Sequence, residues 1–469
     1  MGGEESQSAT LKRALGLGYT TFFGVGLILG AGIYVLIGRA AAFTGDAIWV
    51  SVLFATLIAI TTGFSYAELS SMYPYASSTH KYVEEAFPRI PTLAFIAGWL
   101  IAFEGIAGAA TAAIGFARYF VSLIDTIATS PAFYSAETTI PWIAIIMIIL
   151  LSILNWWGIE ESALLTLIFT FVEAGGLLLV VAIGFLFPQR NPQYFSIPTG
   201  FNPFWAVMLG AAVFYFAFTG FELQPTLSEE AKEPEKTVPK AIILALLICS
   251  LLYLLVSFAV VRLLPWDVLE KSKAPLADAA GVAWSGSYLV LMAIALFSTT
   301  NTVLGFLVSS SRLIYGLASE GVLYRKLSKV DSWRRTPYIS VIVSGLISIL
   351  VVLITLYVPM VTGWKVVIGE IEYELIDLVG KTASLSCLLA FVIVNISAIV
   401  LRYTKPNVQR PFRIPLSIGN FPLLSAIAAL LTIMFIVTSF LDWIVWLTTI
   451  IVLAIGLVLY YVERRPQRS

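Results

Sequence analysis

Three glutamates stand inside long apolar runs: Glu104 in GWLIAFEGIAGAATAAIGF, Glu173 in FTFVEAGGLLLVV and Glu222 in TGFELQP. A charge at the centre of such a run costs at least about 2.5–3.5 kcal/mol on membrane-insertion scales, so each is a candidate for chemistry. Glu173 adjoins Gly175 and Gly176, which let another helix approach closely. Its carboxyl can carry a coupling proton. It can instead join Thr300 and Asn301 of the polar run Ser298 to Thr302, with carbonyls of the first helix, in holding a hard cation such as sodium. A structural protonated carboxyl is the third reading. Glu104 shares its helix with Gly105, Gly108, Ala109, Ala112 and Gly115, and either bonds a neighbouring helix or contacts a substrate. Glu222 reads as the cap of a broken helix.

Other chemistries lack their residues. One histidine, His80, and two cysteines in apolar runs, Cys249 and Cys387, provide neither a nucleophile with its base nor a metal cluster. No GxxxxGK[ST] loop for ATP occurs. The expectation is therefore no enzyme, no metal and no cofactor apart from a coupling ion, H+ or Na+. His80, in SSTHKYVEEAFP, reads as a solvated loop residue able to sense internal pH.

The elements that must position these residues follow from composition. The 469-residue chain is 59% hydrophobic and 12% charged, where a globular domain carries about 25% charge. With a mean hydropathy of +0.91, this excludes a single soluble domain, a disordered chain and a nucleic-acid binder. Twelve apolar stretches are long enough to cross a bilayer: 14–38, 46–72, 92–122, 140–157, 163–187, 203–227, 239–264, 283–317, 338–357, 377–402, 422–441 and 443–461. Runs such as 145–151 do not alternate, which excludes a barrel. With both termini inside, 20 of the 28 Lys and Arg residues fall on the cytoplasmic side. Lys12 and Arg13 lead directly into the first span without a signal-peptide cleavage pattern, and the myristoylation match at Gly2 and Ser6 reads as chance.

Two spans carry interruptions. The first reads GVGLILGAGIYVLIG, and the sixth runs from Phe218, Thr219 and Gly220 to Pro225. Freed backbone groups survive in lipid only where they are buried or line a cavity. A GxxxG packing face explains Gly26 and Gly30 but not the sixth span. Paired interruptions in two halves point to a transporter of inverted repeats. The expected division is a tail 1–13, a first repeat 14–200, a second repeat 201–402, and helices eleven and twelve with the tail in 403–469. Half-helix ends offer amides to a carboxylate and carbonyls to an ammonium, so two facing breaks suit a zwitterionic amino acid.

Five segments in order, GAGIYVLIG, SYAELSSMYP, FAFTGFELQPTLSEEAKEPEKTVPKAI, SSSRLIYGLASEGVL and LRYTKPNVQRPFRIPL, resemble the amino acid-polyamine-organocation superfamily of transporters, close to its cationic amino acid branch. The resemblance implies an all-α polytopic membrane protein of the leucine-transporter-like fold: twelve transmembrane helices, a 5+5 inverted repeat and two C-terminal helices. It implies that Gly30, Ala31 and Gly32 bind the substrate carboxylate, and that Phe216, Ala217, Phe218 and Thr219 bind the amino group, with Phe218 or Phe216 as gate. Several proton-coupled relatives have a lysine where this chain has Glu173, so their mechanism does not transfer directly. The family's Ser-Gly pair is here Ser77 and Ser78. The expected function is amino acid transport across the cytoplasmic membrane, by proton symport; exchange, sodium symport and a membrane amino acid receptor are the alternatives.

Overall fold

The computed structural model describes residues 10–127, 136–198, 200, 202–272, 274–363, 366–368 and 371–463. The Gly2 and Ser6 match lies outside them. Among the described residues the long helices are Leu17–Thr44, Ile48–Met72, Pro91–Ile127, Ala136–Trp157, Ile159–Leu186, a broken sixth over Pro203–Glu230, Pro234–Leu263, Ser287–Ser319, Tyr338–Thr362, Leu375–Thr404, Leu423–Ser439 and Trp443–Glu463. They are called the first to twelfth helices below. The eleventh has 17 residues and the others are long and apolar enough to span a membrane. At 1.5 Å per residue the eleventh still reaches about 26 Å. Two minimal hairpins, Val366–Ile368 with Ile371–Tyr373 and Ser417–Ile418 with Phe421–Pro422, lie between helices. The architecture is all-α and polytopic.

Most ends lie within a few residues of the expected spans. The first helix is the exception, running on to Thr44 rather than residue 38. Arg39 is exposed there, and the apolar Ala40 to Phe43 continue the helix beyond it.

Ion pairs sort the connections to two ends. Lys405 pairs with Glu85, Lys81 lies 3.9 Å from Glu320, and Arg335 donates to Thr10 Oγ1 at 2.7 Å. These contacts join the N-terminal segment to the second, eighth and tenth connections, of which the eighth, with Arg325, Lys326, Lys329, Arg334 and Arg335, and the tenth, with Lys405, Arg410 and Arg413, are strongly basic. At the other end Arg190 forks onto Asp46 at 2.7 and 2.8 Å, and Arg118 meets Glu374 at 3.4 Å. The alternation required of a chain crossing twelve times is therefore present. Leu150, Leu178, Leu251, Leu346, Leu430 and Val458 are all exposed. So much uncovered apolar surface fits lipid as the surrounding solvent.

The first and sixth helices lie inside. The first packs on the fifth, sixth, seventh and eighth, while the third packs on the eighth and tenth. His80 corrects the sequence reading: it lies on the short helix Thr79–Ala86 and is 3% exposed, packed against Gly98 of the third helix. Ser78, just before it, has φ 35° and ψ −105°. That is backbone a side chain rarely adopts, and it falls at the position where the resemblance leads one to expect glycine. Ser78→Gly is expected to raise stability by about 1–2 kcal/mol, read as a higher melting temperature of the detergent-solubilised protein.

Candidate functional site

Both expected interruptions are real. In the first helix Gly30 has φ 25° and ψ −173° amid helical residues. The sixth helix stops at Tyr215, turns through Phe216–Phe218, extends at Thr219 (ψ 151°) and reverses at Gly220 (φ 117°) before Phe221–Glu230 resumes. The two breaks touch. A Cβ on Gly32 would stand 3.1 Å from the Ala217 Cα, and one on Gly220 would stand 3.0 Å from the Leu27 backbone.

Breaking a helix frees carbonyls, and the seventh helix collects some of them. The Tyr253 hydroxyl lies 2.7 Å from the Ile28 carbonyl and 2.8 Å from that of Ala217, sharing one proton between the two breaks. From the resumed sixth helix, Gln224 Nε2 donates to the Thr20 carbonyl of the first at 2.6 Å, a further tie between the two broken helices. Cys249, buried as expected, points its thiol at the Val25 carbonyl, 3.8 Å away. Tyr253→Phe removes the shared proton at little cost in packing. Uptake is expected to fall about fivefold, the worth of a hydrogen bond of roughly 1 kcal/mol. Initial-rate measurements at equal protein density check this.

A cavity of about 730 Å³ opens above the breaks, on the face away from the basic connections. Leu36, Val213 and Phe216 line its lower part with Thr111 and Ser384. Phe216 also meets Phe440 edge-on at 6.0 Å. Phe218 is fully buried, with Tyr253 at 5.0 Å. Of the two candidate gates, only Phe216 faces the cavity. Thr219 folds its hydroxyl back onto the Phe216 carbonyl at 2.9 Å.

The basic face is shut. Ala14 and Leu15 donate to the Glu230 carbonyl at 2.9 and 3.0 Å, and Lys232 N–H returns to the Leu15 carbonyl at 2.7 Å. Beneath this strap the guanidinium of Arg312 forks onto Glu230 at 3.0 and 3.1 Å, both side chains fully buried. The conformation is thus open on one face and closed on the other.

Glu173 lies beside the first break, fully buried. Ser298 donates to one oxygen, and Asn301 Nδ2 reaches the other at 3.4 Å and the Thr170 hydroxyl at 3.0 Å. Thr170 in turn donates to the Phe22 carbonyl at 3.2 Å. Gly26 makes room for this group, since a Cβ there would fall 2.3 Å from Asn301 Nδ2 and Thr170 Oγ1. Thr300 is a correction: its hydroxyl bonds the Leu296 carbonyl of its own helix at 2.7 Å, and it makes no hydrogen bond to Glu173. Ser298 takes the place expected for it. Thr170, one helical turn from Glu173, was not singled out by sequence, although its i,i+3 spacing puts both on one face.

Glu104 does not line the cavity. It is 4% exposed, and one of its oxygens, one of Glu222 and the Cys387 thiol lie within 4.8 Å of one another. Glu222 Oε1 accepts from the Gly220 N–H at 2.6 Å, the capping role read from sequence. This trio is the one cluster of potential metal ligands among the described residues.

Two discontinuous helices crossing at mid-bundle, with a cavity on one face and a seal on the other, define a polytopic secondary transporter. The sequence model of the family described as amino acid permease matches residues 15–462, and the chain belongs to that family. It is 27% identical to the branched-chain amino acid permease BcaP of Bacillus subtilis, over 98% of this chain and 95% of that protein. It is 26% identical to the methylthioribose transporter of the same organism, with the same coverage. Vacuolar cationic amino acid transporter 2 of Arabidopsis thaliana is 30% identical over 86% of this chain and 62% of its own length.

Proposed function

We propose that the protein moves amino acids across the cytoplasmic membrane by alternating access, in symport with protons, with its basic face in the cytoplasm. The carrying observation is the pair of breaks in contact beneath an open cavity, tied together by Tyr253. In this reading the amides of Gly30, Ala31 and Gly32 take the substrate carboxylate. The carbonyls of Phe216 to Thr219 take its ammonium, and Phe216 closes over it. The names of the relatives, which include branched-chain and cationic amino acid carriers, support an amino acid as cargo.

Glu173 is the proton carrier. It is bonded to the eighth helix through Ser298 and Asn301, and Asn301 also holds Thr170, which donates to the first helix at Phe22, so its charge bears on the packing of the break. A hydroxyl such as that of Ser298 can donate to a carboxylate or accept from a carboxylic acid, which serves both states of the cycle. A sodium site is less favoured because calcium- and sodium-like hard cations want about six oxygens, and Thr300 is withdrawn from the group.

The test is uptake of a labelled panel containing leucine, lysine and methylthioribose into proteoliposomes. Proton and sodium gradients are imposed separately, with and without internal amino acid. Accumulation driven by inward protons alone supports the proposal. Uptake that requires internal amino acid under either gradient replaces it with exchange.

A further inference from the structure

The connection between the eighth and ninth helices carries Arg325, Lys326, Lys329, Arg334 and Arg335 against a single acid, Asp331. That acid is occupied by its own turn, Oδ1 accepting from the Trp333 and Arg334 N–H groups at 2.9 and 2.7 Å. The Asp331 N–H donates to the Thr336 carbonyl at 2.9 Å, and Arg335, at φ 59°, donates its N–H to the Asp331 carbonyl at 3.0 Å. Thr336 Oγ1 pins the loop to the end of the fourth helix, at the Trp156 carbonyl 3.0 Å away. The result is a sandwich: the Arg334 guanidinium carbon stands 4.0 Å from the ring centre of Trp157 and 4.0 Å from that of Trp333. Stacking suits a planar, weakly hydrated cation. It buries Nε, which has no hydrogen-bond partner among the described residues. Only Nη1 and Nη2 are left to reach a ligand, and among the described residues the Arg334 side chain makes no ion pair. A guanidinium locked between two indoles with its fork unused is more than membrane topology requires.

The surroundings say what fills the fork. Trp156, Trp157 and Trp333 are all exposed, where the fourth helix ends at the basic face. Uncovered indoles at a helix end belong at the headgroup level of a bilayer. Arg325, Lys326 and Lys329, on the same connection, are exposed as well. We propose that Arg334, between Trp157 and Trp333, is a binding site for the phosphate of an anionic phospholipid in the leaflet that meets the basic face. Nη1 and Nη2 fork onto two phosphate oxygens, a geometry that guanidinium and phosphate share. The neighbouring cations favour a headgroup of net negative charge over a zwitterionic one, whose own ammonium they repel. The inference needs only a bilayer against the basic face, and neither the cargo nor the coupling ion enters it.

The experiment uses the full chain in a neutral detergent. Phosphatidylglycerol, phosphatidylcholine and inorganic phosphate are titrated separately. Binding is read from the rise in melting temperature and, by native mass spectrometry, from the lipids retained per chain. Phosphatidylglycerol is expected to bind about tenfold more tightly than phosphatidylcholine and to lose about tenfold in Arg334→Gln. Arg334→Lys, which keeps the charge without the planar fork, should lose less but measurably. Trp333→Leu should also weaken phosphatidylglycerol, although it removes no charge. Arg413→Gln takes an exposed charge from the other basic connection and should bind as the wild type does. Melting temperatures in lipid-free detergent separate lost binding from lost folding; if Arg334→Gln melts early there, Arg334→Lys and Trp333→Leu carry the test. Equal losses in Arg334→Gln and Arg413→Gln reduce the effect to general attraction and overturn the site, as does equal binding of the two lipids. A matching rise with inorganic phosphate overturns the lipid as its ligand.

Discussion

Gly30→Ala and Gly220→Ala are each expected to lower amino acid uptake tenfold or more, with the protein still folded and in the membrane. Gly30 has φ 25° and Gly220 φ 117°, both in backbone regions that a Cβ disfavours by about 1–2 kcal/mol. Space adds to the strain. The new methyl would lie 3.0 Å from Thr302 Oγ1 in the first case and 3.0 Å from the Leu27 backbone in the second. Threonine can rotate away, whereas Leu27 belongs to the first helix and cannot move without shifting the other break. Gly220→Ala should therefore be the more damaging. The strain falls on the segments proposed to bind substrate, so a barrier rise of about 1.4 kcal/mol already gives tenfold. Gly175→Ala is the control, since nothing lies within 4 Å of its added carbon. Initial rates in proteoliposomes, matched for inserted protein and melting temperature, make the comparison. Normal rates in Gly220→Ala would remove the sixth break from the mechanism.

Those two glycines were legible before any coordinates because a membrane helix cannot afford unexplained backbone disruption. Glycine crowding in the first span and the Thr-Gly-Phe-Glu-Leu-Gln-Pro run in the sixth each break helical propensity where lipid punishes it. The twelve spans were legible for the same reason, as length and hydropathy are local properties. What escaped depends on partners far away in sequence. Nothing around Tyr253 announces that its hydroxyl will join carbonyls 36 and 225 residues distant. His80 sits in a polar stretch, and its burial comes from tertiary packing, the third helix approaching it at Gly98. The Glu173 group was half legible. Ser298 and Asn301 are three residues apart and share a helix face, while Thr300 is rotated off it by about 100° per residue from Asn301. Helical spacing alone would have exchanged Thr300 for Ser298.

Glu173→Gln is expected to abolish proton-driven accumulation while leaving amino acid counterflow in place. Glutamine matches the shape of glutamic acid and can still accept from Ser298 through its amide oxygen. Its NH2 would meet the Asn301 Nδ2 donor, 3.4 Å from the present carboxylate oxygen. Asn301 can answer by turning its amide so that Oδ1, without a hydrogen-bond partner among the described residues, accepts from the new NH2, at the cost of its bond to the Thr170 hydroxyl. Packing between the first, fifth and eighth helices is thus preserved, and what disappears is the ability to gain and lose a proton. Counterflow needs only the substrate-loaded transitions, so it survives. Net uptake needs the empty carrier to return deprotonated, so it stops. Glu173→Asp keeps the charge but draws the carboxyl back by one methylene from Ser298, and should fall between the two. The measurement is accumulation under an inward proton gradient set beside counterflow in the same vesicles. A Gln variant that still concentrates amino acid against its gradient would move the coupling away from Glu173. The next pair of carboxyls to examine would then be Glu104 and Glu222, which share the other buried acidic group at the sixth-helix break.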